Sequence, residues 1–110
     1  MKNKKYILEC CVDSVESAIN ASNAGADSLE LCGNLIIGGT TPSLYLFEEI
    51  RKNCDIKIHV LIRPRFGDFL YTNYEKQIMK KEIELFRDAG ADGIVVGCLD
   101  ENGDIDFELM

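Results

Sequence analysis

The sequence predicts an α/β fold of parallel (β/α) units, the N-terminal half of a (β/α)8 TIM barrel, and three observations carry that expectation. Short apolar runs alternate with segments of helical period in the order βαβαβαβ(α), which requires parallel strands joined by right-handed crossovers. The run Ala24-Gly25-Ala26-Asp27 recurs as Ala89-Gly90-Ala91-Asp92, each time with Gly at a helix end and Asp at a strand entrance, so the chain repeats every two βα units. Its 110 residues are fewer than half of the roughly 250 that a complete barrel needs, and they read as one domain, 1–110. An open, flavodoxin-like sheet would satisfy the alternation as well.

Each element has a local reason. Residues 6–12, YILECCV, are apolar except for Glu9, as a strand buried on both faces should be. Asp13 is placed to cap a helix, with Glu16 three residues on, and Val15, Ala18, Ile19 and Ser22 share one side of it before Gly25 ends it. A second strand covers 28–32. The loop 33–41 leads to a helix over 42–52, with Thr41 as cap, Pro42 at the first helical position, and Leu44, Phe47, Ile50 and Arg51 as packing face and edge. The third strand is 57–63, KIHVLIR. A long connection, RPRFGDFLYTN, follows, and long loops in small domains often carry function. Asn73 is the expected cap of a third helix over 74–89, with Ile78, Met79, Ile83 and Phe86 as its apolar stripe. A fourth strand covers 91–97, and 104–110 reads as the first turns of a fourth helix.

Composition limits the partners. Twelve basic against nineteen acidic residues give a net charge of -7, which repels phosphate backbones and anionic lipid, so nucleic acid and membrane surfaces are excluded as partners. No apolar run approaches the length that spans a bilayer, and Glu9 breaks the only stretch that begins like a signal segment. The expected location is the cytoplasm, where Cys10, Cys11, Cys32, Cys54 and Cys98 are thiols. No CxxC pair points to a zinc site.

Side chains alternate across a strand, so Glu9 and Cys11 share one face of the first strand, and Glu30 and Cys32 share one face of the second. Two neighbouring strands thus carry Glu-x-Cys at their carboxyl ends, where parallel α/β folds build their sites. A buried carboxylate without a partner costs roughly several kcal/mol, and the expected partners are Arg63 and Arg65 in the following loop. Such a network can simply fix strand order, and buried cysteines can simply fill space. Thiolates at adjacent strand ends would instead select a soft ion such as Cu(I). His59 lies early on the same face of its strand and reads as a satisfied core histidine. Cys10, Cys54 and Cys98 read as packing residues. The Gly38-Gly39-Thr40-Thr41 run reads as a plain turn rather than an anion cradle. Asp68 is placed either to pair with Arg65 or to cap its own loop.

The runs Glu9 to Ala18 (ECCVDSVESA), Leu29-Glu30-Leu31-Cys32, Gly38 to Ser43 (GGTTPS), Ile62 to Phe69 (IRPRFGDF) and Gly90-Ala91-Asp92-Gly93 resemble the CutC family of copper homeostasis proteins, in that family's order and over nearly the whole chain. The resemblance implies a cytoplasmic, often oligomeric (β/α)8 barrel that handles copper. Residues 1–110 would then be one truncated domain of about four βα units. Cys11 and Cys32 match the family's proposed Cu(I) ligands. Glu9, Glu30, Arg63, Arg65 and Asp68 match polar positions at its barrel mouth. Cys10 stands where an aliphatic residue is usual, and Phe66 where Gly is common. Because family members are about twice as long, two copies are expected to associate through the open sheet edges. The alternative is a barrel enzyme in which Glu9 and Glu30 do acid/base work on a small anionic ligand held by Arg63, Arg65 and Asp68.

Overall fold

Strand order in space follows strand order in the chain. In the computed structural model, which describes residues 6–106, β1 (Glu9–Val12), β2 (Ser28–Leu31), β3 (Lys57–Ile62) and β4 (Gly93–Val96) form one parallel sheet in the order β1-β2-β3-β4. The crossovers carry α1 (Val15–Asn23), α2 (Leu44–Asn53) and α3 (Asn73–Ala89). The order β1-β2-β3-β4 is that of one half of a (β/α)8 barrel, the expected fold, and it departs from the flavodoxin-like order, in which the first strand lies between the second and the third. The register aligns Cys11, Glu30, His59 and Gly93 in one row across the four strands, with Glu9 and Ser28 paired one row below.

One face of the sheet is sealed. Val12, Leu29, Leu31, Ile58, Val60 and Ile62 are buried against Ala18 of α1, Phe47 and Ile50 of α2, and Met79 and Phe86 of α3. The Phe47 and Phe86 rings meet edge to face at 5.8 Å, which locks α2 to α3. Each of these large side chains contributes about 1.5–3 kcal/mol through burial. The expectation that β1 is buried on both faces is corrected: Glu9 and Cys11 are exposed, because the helices cover only the other face. Ile78, expected in the apolar stripe of α3, is half exposed for the same reason of direction.

The internal repeat has a structural meaning. The Asp27 carboxylate accepts from the Leu8 N–H at 2.7 Å while its own N–H donates to Leu8 O at 2.8 Å. Asp92 does the same to Ile58, at 2.8 and 2.9 Å. Each Asp thereby clamps the start of the strand beside it, and the preceding Gly25 and Gly90 turn the chain with φ of 99° and 97°, where other residues are strained.

The helix starts shift by one or two residues from expectation. Ser14, Ser43 and Thr72 cap the helices, not Asp13, Thr41 and Asn73. In each case the residue with extended backbone accepts the N–H three positions on, and Thr72 with Glu75 completes a reciprocal box. Thr41 is otherwise occupied, since its hydroxyl accepts the Arg63 N–H at 2.9 Å. The expected helix from Asp104 does not begin there. Residues 104–106 instead turn back so that Ile105 bridges Leu99, and the remainder of that segment lies outside the described residues.

Candidate functional site

The uncovered face of the sheet collects the polar side chains. Strand alternation puts Glu9 and Cys11 of β1, Ser28 and Glu30 of β2, and His59 and Leu61 of β3 on this face, with Cys32 directly after β2. The Cys11 thiol donates to Glu30 Oε2 at 3.0 Å. The Cys32 thiol lies 4.0 Å from the same oxygen and donates to the Glu30 carbonyl at 3.8 Å. One carboxylate oxygen therefore serves two thiols from adjacent strands.

That arrangement holds both sulfurs protonated. The hydrogen bond to Glu30 pushes Cys11 up to about 11, because a carboxylate acceptor stabilises S–H and repels the thiolate. Burial, reinforced by the Glu30 charge, pushes Cys32 up to about 12. Cys11 is exposed and Cys32 is 1% exposed, so the two thiols differ in access although they share a neighbour. All five cysteines are free thiols.

One row below, Glu9 Oε2 accepts from the Ser28 hydroxyl at 2.5 Å and meets His59 Nδ1 at 2.7 Å. The Ser28 hydrogen bond, followed by the His59 contact, holds the Glu9 carboxyl below its ordinary range against the opposing effect of burial. Gly93 makes room for the imidazole, since a Cβ there would stand 2.8 Å from His59 Cδ2. His59 is thus a satisfied histidine, and its partner is Glu9.

The expected pairing of the carboxylates with the arginines does not form. Arg63 donates through Nη1 to Gly39 O at 3.1 Å and through Nη2 to Gly67 O at 2.7 Å, and its guanidinium lies 4.9 Å over the Phe69 ring. Among the described residues its buried Nε has no hydrogen-bond partner. Arg65 spends its donors on Glu75 Oε2 at 2.7 Å, on Asp68 Oδ1 at 3.2 Å and on the carbonyls of Phe66, Asp68 and Leu70. It organises its own loop and the start of α3. Asp68 does both things expected of it, pairing with Arg65 and capping Leu70 N–H at 3.0 Å. The carboxylates instead found partners on their own sheet, where Ser28 shares the parity of Glu30 and was available to a reading by alternation.

The loop after β2 is a plain turn. Gly33 and Thr40 pair in both directions at 2.8 and 2.7 Å, Leu35–Ile37 makes a single 3-10 turn, and the N–H groups of Gly38 and Gly39 go to Leu35 O and Asn34 O. With Thr40 N–H on Gly33 O and Thr41 N–H on Arg63 O, no backbone donor of that run is left to cradle an anion. The loop does lie on the site: a Cβ on Gly39 would stand 3.3 Å from Cys32 Cβ and 3.4 Å from its sulfur. Gly39 is the residue that reading by motif missed, because its role depends on where the loop folds back.

Residues 6–110 match the CutC family. The chain belongs to the CutC family. The human copper homeostasis protein cutC homolog is 51% identical over 104 residues, which are 94% of this chain and 38% of that protein. A CutC family protein of Bacteroides thetaiotaomicron is 50% identical over 97% of this chain and 43% of its own length. The crystal structure of a CutC protein from Streptococcus agalactiae superposes with a TM-score of 0.85 at 34% identity, covering 94% of this chain and 51% of that one. The chain spans about two-fifths of the length of these curated CutC relatives. No helix among the described residues is long and apolar enough to cross a membrane.

Proposed function

We propose that this CutC-family chain handles copper as cargo, with Cys11 and Cys32 as the sulfur donors and Glu30 as their shared hydrogen-bond acceptor. The observation that carries the reading is the convergence of two thiols from adjacent strands on one carboxylate oxygen, at 3.0 and 4.0 Å. Relatives bearing the name copper homeostasis protein support it. The donor chemistry fits: paired sulfurs favour a soft monovalent ion over hard cations. Among the described residues no group of three or more His, Cys, Asp and Glu side chains is arranged to hold a metal ion, so the reading rests on the two sulfurs.

Both sulfurs must release their protons to solvent to bind, because the ligand is the thiolate and Glu30 favours the protonated form of each. Cu(I) affinity should therefore rise with pH across the neutral range. Anaerobic titration of the reduced chain with Cu(I), alone and as Cys11→Ser and Cys32→Ser, tests the assignment. Loss of at least tenfold in affinity in each variant is expected, and unchanged affinity in both removes the role. We also read the protein as cytoplasmic, where the thiols stay reduced. Two copies would associate through the outer edges of β1 and β4, which have no strand neighbour among the described residues. A monodisperse monomer by light scattering at micromolar concentration would oppose that association.

A further inference from the structure

Cys32 and Cys11 face the same carboxylate, yet one is sealed and the other open, and Gly39 of the loop after β2 lies against the sealed one. Residues 34–39 leave the sheet through a neck in which Gly33 and Thr40 exchange two backbone hydrogen bonds. Where the loop returns to the neck, Gly39 is so close that a side chain there would press on Cys32 and on Leu61, 3.1 Å from its Cδ2. Its turns depend on Asn34, Gly38 and Gly39, at φ of 52°, 93° and 93°. Its outer surface is Ile36, 97% exposed, so nothing packs on it from outside.

The side-chain hydrogen bond from the sheet to this loop beyond its neck comes from Arg63, whose Nη1 reaches Gly39 O at 3.1 Å. The same guanidinium holds the next loop through Gly67 O and rests on Phe69, so its position is fixed from three sides. Gly38 leaves space for it, since a Cβ there would stand 3.1 Å from Arg63 Nη1.

We propose that residues 34–39 form a lid over the Cys32 thiol and that Arg63 is its latch. Arg63 then acts as a positioning residue, controlling when the second sulfur can be reached, and makes access to the pair stepwise: Cys11 first, Cys32 after the latch releases. The lid bears on the thiol used in the copper reading, but it is testable without copper, so either can fail while the other stands.

The test is alkylation of the native, reduced chain with iodoacetamide, with the rate at each cysteine followed by peptide mass spectrometry. Each rate is compared with that of the same cysteine in the unaltered chain, which cancels differences in intrinsic reactivity. Buried Cys54 and Cys98 report global opening, and exposed Cys11 reports reagent access. Arg63→Ala removes the latch but leaves the backbone link between Arg63 and Thr41 in place. It should speed Cys32 by roughly tenfold or more, with Cys54 and Cys98 nearly unchanged, as a local opening requires. Gly39→Ala, which forces the lid outward with Arg63 intact, should act in the same direction. Arg63→Lys, keeping one donor, should fall between. The lid is overturned if Cys32 in the unaltered chain reacts as fast as Cys11, or if neither Arg63→Ala nor Gly39→Ala separates Cys32 from Cys54 and Cys98.

Discussion

The two faces of the same four strands solve different problems. On the helix side, Leu29, Leu31, Ile58 and Val60 are completely buried and hold the sheet to its helices by apolar contact. On the other side, the same strands carry Glu9, Cys11, Glu30 and His59, which hold one another by hydrogen bonds and remain partly open to solvent. A face that excludes water draws its stability from burial. A face that keeps polar groups near water contributes little to stability and keeps its chemistry available.

The sharpest way to break this contrast is to empty the sealed face. Phe47→Ala removes a ring that is 1% exposed and its edge contact with Phe86, and should cost about 3–5 kcal/mol in chemical denaturation. Leu61→Ala, on the open face, deletes a partly exposed side chain and should cost about 1–2 kcal/mol. Equal losses at the two positions would mean that the open face is covered in solution.

A smaller effect is expected where the sheet is clamped at its entrance. Asp92 accepts the Ile58 N–H at 2.8 Å and the Arg51 guanidinium at 2.8 Å. Asp92→Ala should cost about 1–2 kcal/mol, trimmed by solvent because the side chain is more than a third exposed. The Ile58 hydrogen bond, then that of Arg51, holds its carboxyl below the ordinary 3.8. A depressed folded-state value gives stability that is present above pH 3.8 and lost as pH falls through the folded value. Acid denaturation of Asp92→Asn should therefore lose part of its pH dependence below about pH 4. Because Asp27 makes the same clamp on Leu8, Asp27→Ala should behave alike. A neutral response at both would leave the internal repeat without a mechanical role.

The parts of this structure that were legible in the sequence are those fixed by period. Alternation alone put Cys11 and Glu30 on one face, and the repeat marked both clamping aspartates. Helix starts were ambiguous because two capping residues stood within two positions each time, Asp13 beside Ser14, Thr41 near Ser43 and Thr72 beside Asn73. Any of them can accept the first N–H groups, and the backbone path leaving the preceding strand or loop chooses. Apart from Asp68, whose pairing with Arg65 was expected, most partners of Arg63 and Arg65 were hidden for a different reason. Those arginines bond to carbonyls of Gly39, Gly67, Phe66, Asp68 and Leu70, and every residue offers a carbonyl, so no residue type signals the pairing.

The smallest effect on stability, and the most informative about chemistry, is expected at Glu30. Glu30→Gln keeps the shape of the side chain on a partly open face, so the fold should change by less than about 0.5 kcal/mol. The thiols should respond strongly. With the carboxylate gone, the acceptor that favours S–H and the charge that repels S⁻ both vanish, and an amide N–H can donate to the thiolate instead. Cys11 should then titrate well below its present value of about 11, measured by thiolate absorbance or by alkylation rate against pH. The unaltered protein carries the converse signature. A thiol raised in the folded state favours folding below the ordinary 9.0, and that contribution is lost as pH rises through about 11. Alkaline destabilisation across that window should weaken in Glu30→Gln and in Cys11→Ser alike. An unchanged window in both variants would mean that the 3.0 Å contact between Cys11 and Glu30 has no energetic consequence, and that the open face holds its thiols by some other group.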